Sequence, residues 1–205
     1  MMSTFDRRLH AALLVVAGLF AAMSLAAAEE TSGTVRIGFQ RSSTLITILK
    51  ANGEIDKALA AVGLRVSWHE FTSGLPLLEA LNLGSIDFGA DVADTVPVFA
   101  QAAGARLVYV AEEAESPSAQ GILVPTASPI KSIAELKGRK VAVTKGAGSH
   151  FLLLIALGSA KLSFKDIAPV YLTPADGRAA LAGGRVDAWV AWDPGRAAAA
   201  SGGHA

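Results

Sequence analysis

From residue 35 onward the chain repeats one unit: a short strand-like run, a loop of small and hydroxyl residues, and a helical stretch. Val35-Arg36-Ile37-Gly38-Phe39 alternates as a strand does. A helix is expected over residues 44–51, broken by Asn52-Gly53, and another over 55–61, stopped by Gly63. Leu64-Arg65-Val66-Ser67-Trp68 reads as the second strand. Ser73-Gly74-Leu75-Pro76 opens a helix with a serine and an early proline, and Gly84 ends it. A third strand is expected at 86–90, a helix at 95–102 and a fourth strand at 107–111. Beyond an acidic stretch at 112–118, strands are expected at 121–124, 140–143, 170–172 and 186–190. Helices at 132–136, 150–159 and 175–181 separate them. Short strands alternating with helices imply an α/β fold of βαβ units with parallel sheets.

The stretch at 112–118, with Pro117, divides these units into two groups. A weak internal repeat agrees. Gly84-Ser85-Ile86-Asp87-Phe88 resembles Gly184-Arg185-Val186-Asp187-Ala188, and a helical leucine precedes each, Leu81 and Leu181. Two similar lobes facing each other would make a cleft.

The N-terminal residues do not share this pattern. Arg7, Arg8 and His10 precede an apolar run from residue 11 to 22, and Ala26 and Ala28 supply small residues before Glu29-Glu30. This reads as a secretory signal peptide over residues 1–28, cleaved after Ala28. The alternative, a membrane anchor, needs about 20 apolar residues, more than this run supplies. The remaining chain is expected to be exported and not to span a membrane.

Composition narrows the chemistry. Hydrophobic residues make up 52% and charged residues 18%, with a formal net charge of zero. A disordered chain would be more polar and charged, and a nucleic-acid binder would show a basic excess. Without cysteine there is no disulfide framework, thiolate metal site or cysteine nucleophile. His69 and His150 have no ligand-type spacing, so no metal is expected. There is no Gly-x-Ser-x-Gly elbow and no clear carboxylate pair, so nothing points to an enzyme or a cofactor.

Two loops hold the binding chemistry. Gln40-Arg41-Ser42-Ser43-Thr44 and Thr144-Lys145-Gly146-Ala147-Gly148-Ser149 each lie between a strand and a helix. Helix N-termini present unpaired N–H groups and a positive dipole end, which bind sulfonate, sulfate, phosphate or carboxylate. Glycine admits close approach and hydroxyls add donors. Plain N-capping by Ser43 or Ser149 is the competing reading. Lys145 precedes its glycines, so the second loop does not match the phosphate-binding loop of nucleotide hydrolases. Asp91 and Asp94 follow the third strand and either cap the next helix or accept from a ligand. Trp189 suits the core, whereas Trp192, nearer the strand end, could line the apolar side of a cleft.

Several stretches together carry a family resemblance. They include Val35-Arg36-Ile37-Gly38-Phe39-Gln40, Leu77-Leu78-Glu79-Ala80-Leu81-Asn82, Phe99-Ala100-Gln101-Ala102-Ala103-Gly104, Leu136-Lys137-Gly138-Arg139-Lys140-Val141, and Val186-Asp187-Ala188-Trp189 with Trp192-Asp193-Pro194. In this order they resemble the periplasmic substrate-binding proteins of aliphatic sulfonate ABC transporters, within the wider sulfonate, nitrate and taurine group. The resemblance implies an α/β, type II periplasmic binding protein-like fold: a first lobe over 29–114, a second, incomplete lobe over 115–194 and a low-complexity tail over 195–205. It implies a monomer that binds an alkanesulfonate and delivers it to a membrane permease for sulfur acquisition. Nitrate, taurine or a thiamine precursor are the alternative ligands, and a non-functional remnant is the alternative to a binder. Carried over by position, the ligand-binding candidates are Gln40, Ser43, Asp91, Asp94, Thr95, Gln120, Gly146, Gly148, Ser149, Trp192 and Asp193. Val92-Ala93-Asp94-Thr95-Val96-Pro97 departs from the family's usual run before Phe-Ala-Gln. Family members also continue well past the Trp-Asp-Pro stretch, so a truncated product is expected.

Overall fold

A computed structural model describes residues 33–201, so the signal peptide expected over 1–28 and the end of the tail, 202–205, lie outside the described residues. β1 (Thr34–Gln40), β2 (Arg65–Phe71) and β3 (Phe88–Gly89) form a parallel sheet in the order β2-β1-β3. The helices of this lobe are α1 (Thr44–Asn52), α2 (Glu54–Ala60), α3 (Gly74–Asn82) and α4 (Thr95–Ala102). β4 (Gln120–Leu123), β5 (Lys140–Val143), β6 (Ala168–Tyr171) and β7 (Ala188–Trp192) form a second sheet in the order β4-β7-β5-β6. Its helices are α5 (Gly148–Ser159), α6 (Pro174–Ala182) and α7 (Gly195–Ser201).

Pleating gives the second sheet two cores. Val141, Val143, Ala188 and Val190 face one side, where Leu153 and Leu157 of α5 complete a cluster. Ala142, Trp189 and Ala191 face the other, against Ala180 and Leu181 of α6 and Ala199 of α7. Strands buried on both faces explain the nearly continuous apolar runs in the sequence. The first sheet is covered less evenly. Leu77, Leu78, Val96 and Ala100 of α3 and α4 make its core with Ile86. In contrast α1 and α2 bury no residue, and Leu45 and Ile48 stay about half exposed.

Both lobes tie their central strand in the same way, which gives the sequence repeat a physical meaning. The Arg36 N–H donates to Asp87 Oδ2 at 2.8 Å, and the Asp87 N–H donates back to the Arg36 carbonyl at 2.8 Å. The Lys140 N–H donates to Asp187 Oδ2 at 2.7 Å, and the Asp187 N–H returns to the Lys140 carbonyl at 2.8 Å. Gly84 and Gly184, at φ 71° and 65°, make the turn before each aspartate.

In the first lobe an ion pair adds to this tie, Arg36 Nη2 to Asp87 Oδ1 at 2.6 Å. Hydrogen bonds from the Arg36 side chain and backbone hold the Asp87 carboxyl down at about 2, below its ordinary 3.8. A lowered folded-state value stabilises the fold above the unfolded value, and that contribution disappears as pH falls through the folded one. Asp87→Asn is therefore expected to unfold at lower temperature than the parent at neutral pH. The gap should narrow between about pH 4 and pH 2. Melting curves of both proteins across that range check it; a constant gap refutes it.

Four expectations are corrected. The third strand shrinks to Phe88–Gly89, because Ile86 turns into the core and the Asp87 carboxylate turns onto β1. The fourth strand at 107–111 does not form; among the described residues no strand lies beside it, and Val108 is 83% exposed. β4 pairs antiparallel with β7, Gln120 opposite Trp192, where parallel pairing was expected. It arrives from the other lobe and not through a crossover helix, so nothing forces it to run parallel. Finally, the tail does not stay irregular. Asp193 Oδ1 accepts from the Ala197 N–H at 3.1 Å, and α7 packs buried Ala199 into the second core.

Candidate functional site

The carboxyl ends of β1, β5 and β7 and the amino end of β4 meet between the lobes, where open α/β sheets hold ligands. From the first lobe, β1 delivers Gln40, buried, whose Nε2 donates to the Asp91 carbonyl at 2.7 Å. Ser43 is buried beside it, but its hydroxyl accepts from the Gln40 N–H at 3.2 Å and does not cap α1. The cap comes from Asp91 instead, whose Oδ2 accepts from the Thr44 N–H at 3.1 Å. Asp94 Oδ1 likewise accepts from the Thr95 N–H at 2.8 Å, at the start of α4. These two carboxylates are thus committed to helix ends. The start of α1, expected to receive an anion, already carries one. Thr95 Oγ1 is buried with no hydrogen-bond partner.

The second lobe keeps its helix end open. β5 leads through Thr144, whose hydroxyl donates to the Leu172 carbonyl at 2.9 Å, into the glycine loop. The Ala147 N–H returns to the Thr144 carbonyl at 3.3 Å, whereas the Gly148 and Ser149 N–H groups at the start of α5 find no backbone partner. Ser149 is fully buried, does not cap the helix, and its Oγ has no partner. Gln120 opens β4 with its Oε1 buried and unpartnered. Asp193 is taken up by Arg196 at 3.1 Å and by the α7 end.

The glycines explain how the lobes come so close. A Cβ on Gly148 would lie 2.9 Å from the Ala93 Cβ and 3.4 Å from both atoms of the Gln120 amide. One on Gly146, whose φ is +70°, would lie 2.8 Å from Leu75 Cδ2. Only glycine lets the start of α5 press against the first lobe here. Thr95 Oγ1, Gln120 Oε1 and Ser149 Oγ sit on the segments this contact brings together. Buried polar atoms are nearly always paired, so these three orphans make the junction the candidate site.

Trp192, a candidate from sequence, completes the junction together with Ser42, Phe99 and His150, which were not among the candidates. Trp192 Nε1 donates to Ser42 Oγ at 2.9 Å, a bond between lobes. Trp189, by contrast, is a core residue as expected. The His150 ring stacks on Phe99 of the first lobe with centroids 6.5 Å apart, and meets Phe164 and Tyr171 edge-on. Its Nδ1 accepts from the Gly146 N–H at 3.2 Å. Burial, helped by the nearby Lys145 ammonium, holds the imidazole below its usual value, so it stays neutral and keeps that acceptor. Only the position of His150 beside the glycine loop hinted at this role. Among the described residues no group of His, Asp or Glu could hold a metal ion, and no helix is long and apolar enough to cross a membrane.

Comparison with known proteins places this arrangement. The family described as NMT1/THI5-like matches residues 59–202. The chain belongs to that family. A curated relative from Escherichia coli is 50% identical over 182 residues, 88% of this chain and 56% of the relative. The crystal structure of the periplasmic aliphatic sulphonate binding protein SsuA from Escherichia coli is 50% identical, with a TM-score of 0.70. It matches 84% of this chain and 59% of that one. The alkanesulfonate-binding protein SsuA from Xanthomonas axonopodis pv. citri, bound to MOPS, is 43% identical with a TM-score of 0.78. There the match covers 83% of this chain and 58% of that one. The fold is therefore that of the periplasmic binding proteins, as the resemblance implied. The chain spans a little over half of the length of these relatives.

Proposed function

We propose that this chain is an aliphatic sulfonate binder of the periplasm that hands its ligand to the permease of an ABC importer. The observation that carries this reading is the pair of buried, unpartnered hydroxyls Thr95 Oγ1 and Ser149 Oγ beside the open start of α5. A sulfonate presents three acceptor oxygens on one tetrahedral head. Hydroxyl protons of Thr95 and Ser149, the Nε2–H2 group of Gln120 and the free Gly148 and Ser149 N–H groups are donors of the right kind. The dipole of α5 adds attraction without a full countercharge. Trp192 and Phe99 supply apolar surface for an organic tail. Gln40 and Ser43 support the first-lobe side, while Asp91, Asp94 and Asp193 shape the loops. The lobes are 29–114 and 115–194, and residues 1–28 direct export.

The test is ligand-induced stabilisation. Short alkanesulfonates and MOPS are expected to stabilise the fold by about 2.7 kcal/mol at a hundred times the dissociation constant, read as a higher unfolding temperature. Nitrate and thiamine precursors should give no shift. A shift with nitrate alone overturns the sulfonate reading.

Ser149→Ala separates binding from folding. Removing a buried hydroxyl without a partner should leave the free protein unchanged or stabilise it by about 1 kcal/mol. Sulfonate affinity should fall about 10–100-fold, since a bond to a charged ligand is lost. Calorimetric titration and melting of the same samples check both signs. A destabilised variant with unchanged affinity would show that Ser149 is merely structural.

A further inference from the structure

The residues that follow β2, β5 and β6 enclose a cavity of about 240 Å³ beside the junction. Thr72 and Ser73 wall it from the first lobe, and Lys145, Tyr171 and Thr173 from the second. β2 and β6 are edge strands, and β6 lies at the opposite edge of its sheet from β4, where the linker enters. Lys145 leads directly into the glycine loop, so the cavity and the start of α5 share one strand-to-helix turn.

The cavity offers donors that nothing accepts. Ser73 is 5% exposed and stands at the N-cap of α3, yet its hydroxyl neither caps that helix nor has another partner among the described residues. The Gly74 and Leu75 N–H groups of the first turn have no backbone partner there either. The single charge on the lining residues is the Lys145 ammonium, which forms no ion pair among the described residues. It lies 5.8 Å from the centre of the Tyr171 ring, which attracts the cation without neutralising it. The Thr144 and Thr173 hydroxyls are occupied, donating to the Leu172 carbonyl at 2.9 Å and to Asp176 Oδ2 at 2.8 Å. A buried donor against an alkyl group stays unpaired, which costs free energy. A carboxylate instead accepts from the hydroxyl, the helix N–H groups and the ammonium together, and the α3 dipole favours its charge.

We propose that this cavity is a second anion subsite and that the preferred ligand is a sulfocarboxylate, with its sulfonate at the start of α5 and its carboxylate between Ser73 and Lys145. The assignment rests on the sulfonate reading of the junction and narrows the ligand to a doubly anionic class.

Titration calorimetry of the full chain tests it, with sulfoacetate, sulfopropanoate and sulfobutanoate each set beside the alkanesulfonate of the same carbon number. At least one sulfocarboxylate is expected to bind about ten-fold tighter than its alkanesulfonate, because charge-assisted bonds take the place of a methyl contact. Lys145→Met removes the charge but keeps an unbranched side chain, and should bring that ratio down to about one. Ser73→Ala should lower it about three-fold. Melting of both variants confirms that they are folded. Alkanesulfonates that bind as well as every sulfocarboxylate overturn the second subsite and leave the sulfonate reading standing. A preference that survives Lys145→Met overturns it too. If neither class binds, both readings fall.

Discussion

Leu153→Ala is expected to lower the stability of the chain by about 2–5 kcal/mol, the usual cost of emptying a leucine site in a packed core. Leu153 is fully buried on α5, against Val141, Val143, Ala188 and Val190. The cavity would open under the central strands of the second sheet, whose backbone ladder leaves little room to collapse. Leu45→Ala on α1 is the contrast, because that side chain is 49% exposed and its loss should change stability by no more than about 0.5 kcal/mol. Denaturant unfolding of the two variants beside the parent measures both. Equal effects would mean that the second-lobe core is not the main source of stability.

Gly148→Val is expected to weaken sulfonate binding about 10–100-fold while leaving each lobe folded. Its Cβ would start 2.9 Å from the Ala93 Cβ, and the two methyl groups would extend further into the junction. The strain of such overpacking, about 1–3 kcal/mol, falls on the approach of the lobes and not on either sheet. Ligand stabilises the approached state only by binding it better, so that strain subtracts directly from affinity. Titration calorimetry with MOPS reads the loss, and melting without ligand confirms the folded lobes. Undiminished affinity would show that the ligand binds without this contact.

Much of this molecule can be read from residue order, and what cannot has identifiable causes. Strand-loop-helix alternation located β1, β2, β5, β6 and β7 to within a few residues; β5 and β7, buried on both faces, leave continuous apolar runs, and β1 shows the period-two pattern. The direction of β4 left no such trace, since an antiparallel and a parallel strand share one pattern. The run at 107–111 has strand composition but no neighbour, and composition does not specify a partner. At the site, the glycine loop and Ser149 stood out locally. The pair Trp192 and Ser42 lies 150 residues apart, and no local pattern joins them. Asp91 showed the ambiguity of a short carboxylate after a strand. It caps a helix across the sheet, which only the packing of β3 beside β1 determines.

The reversed entry of β4 gives the proposed site a short lever arm. The linker delivers the chain to Gln120, directly opposite Trp192, so a rotation about that entry would turn close to the proposed anion-binding atoms. The far end of α5, Ser159, is roughly 17 Å along the helix axis from Gly148, and would sweep a longer arc. Under the proposed function, occupancy would be settled at the short arm and displayed at the long one.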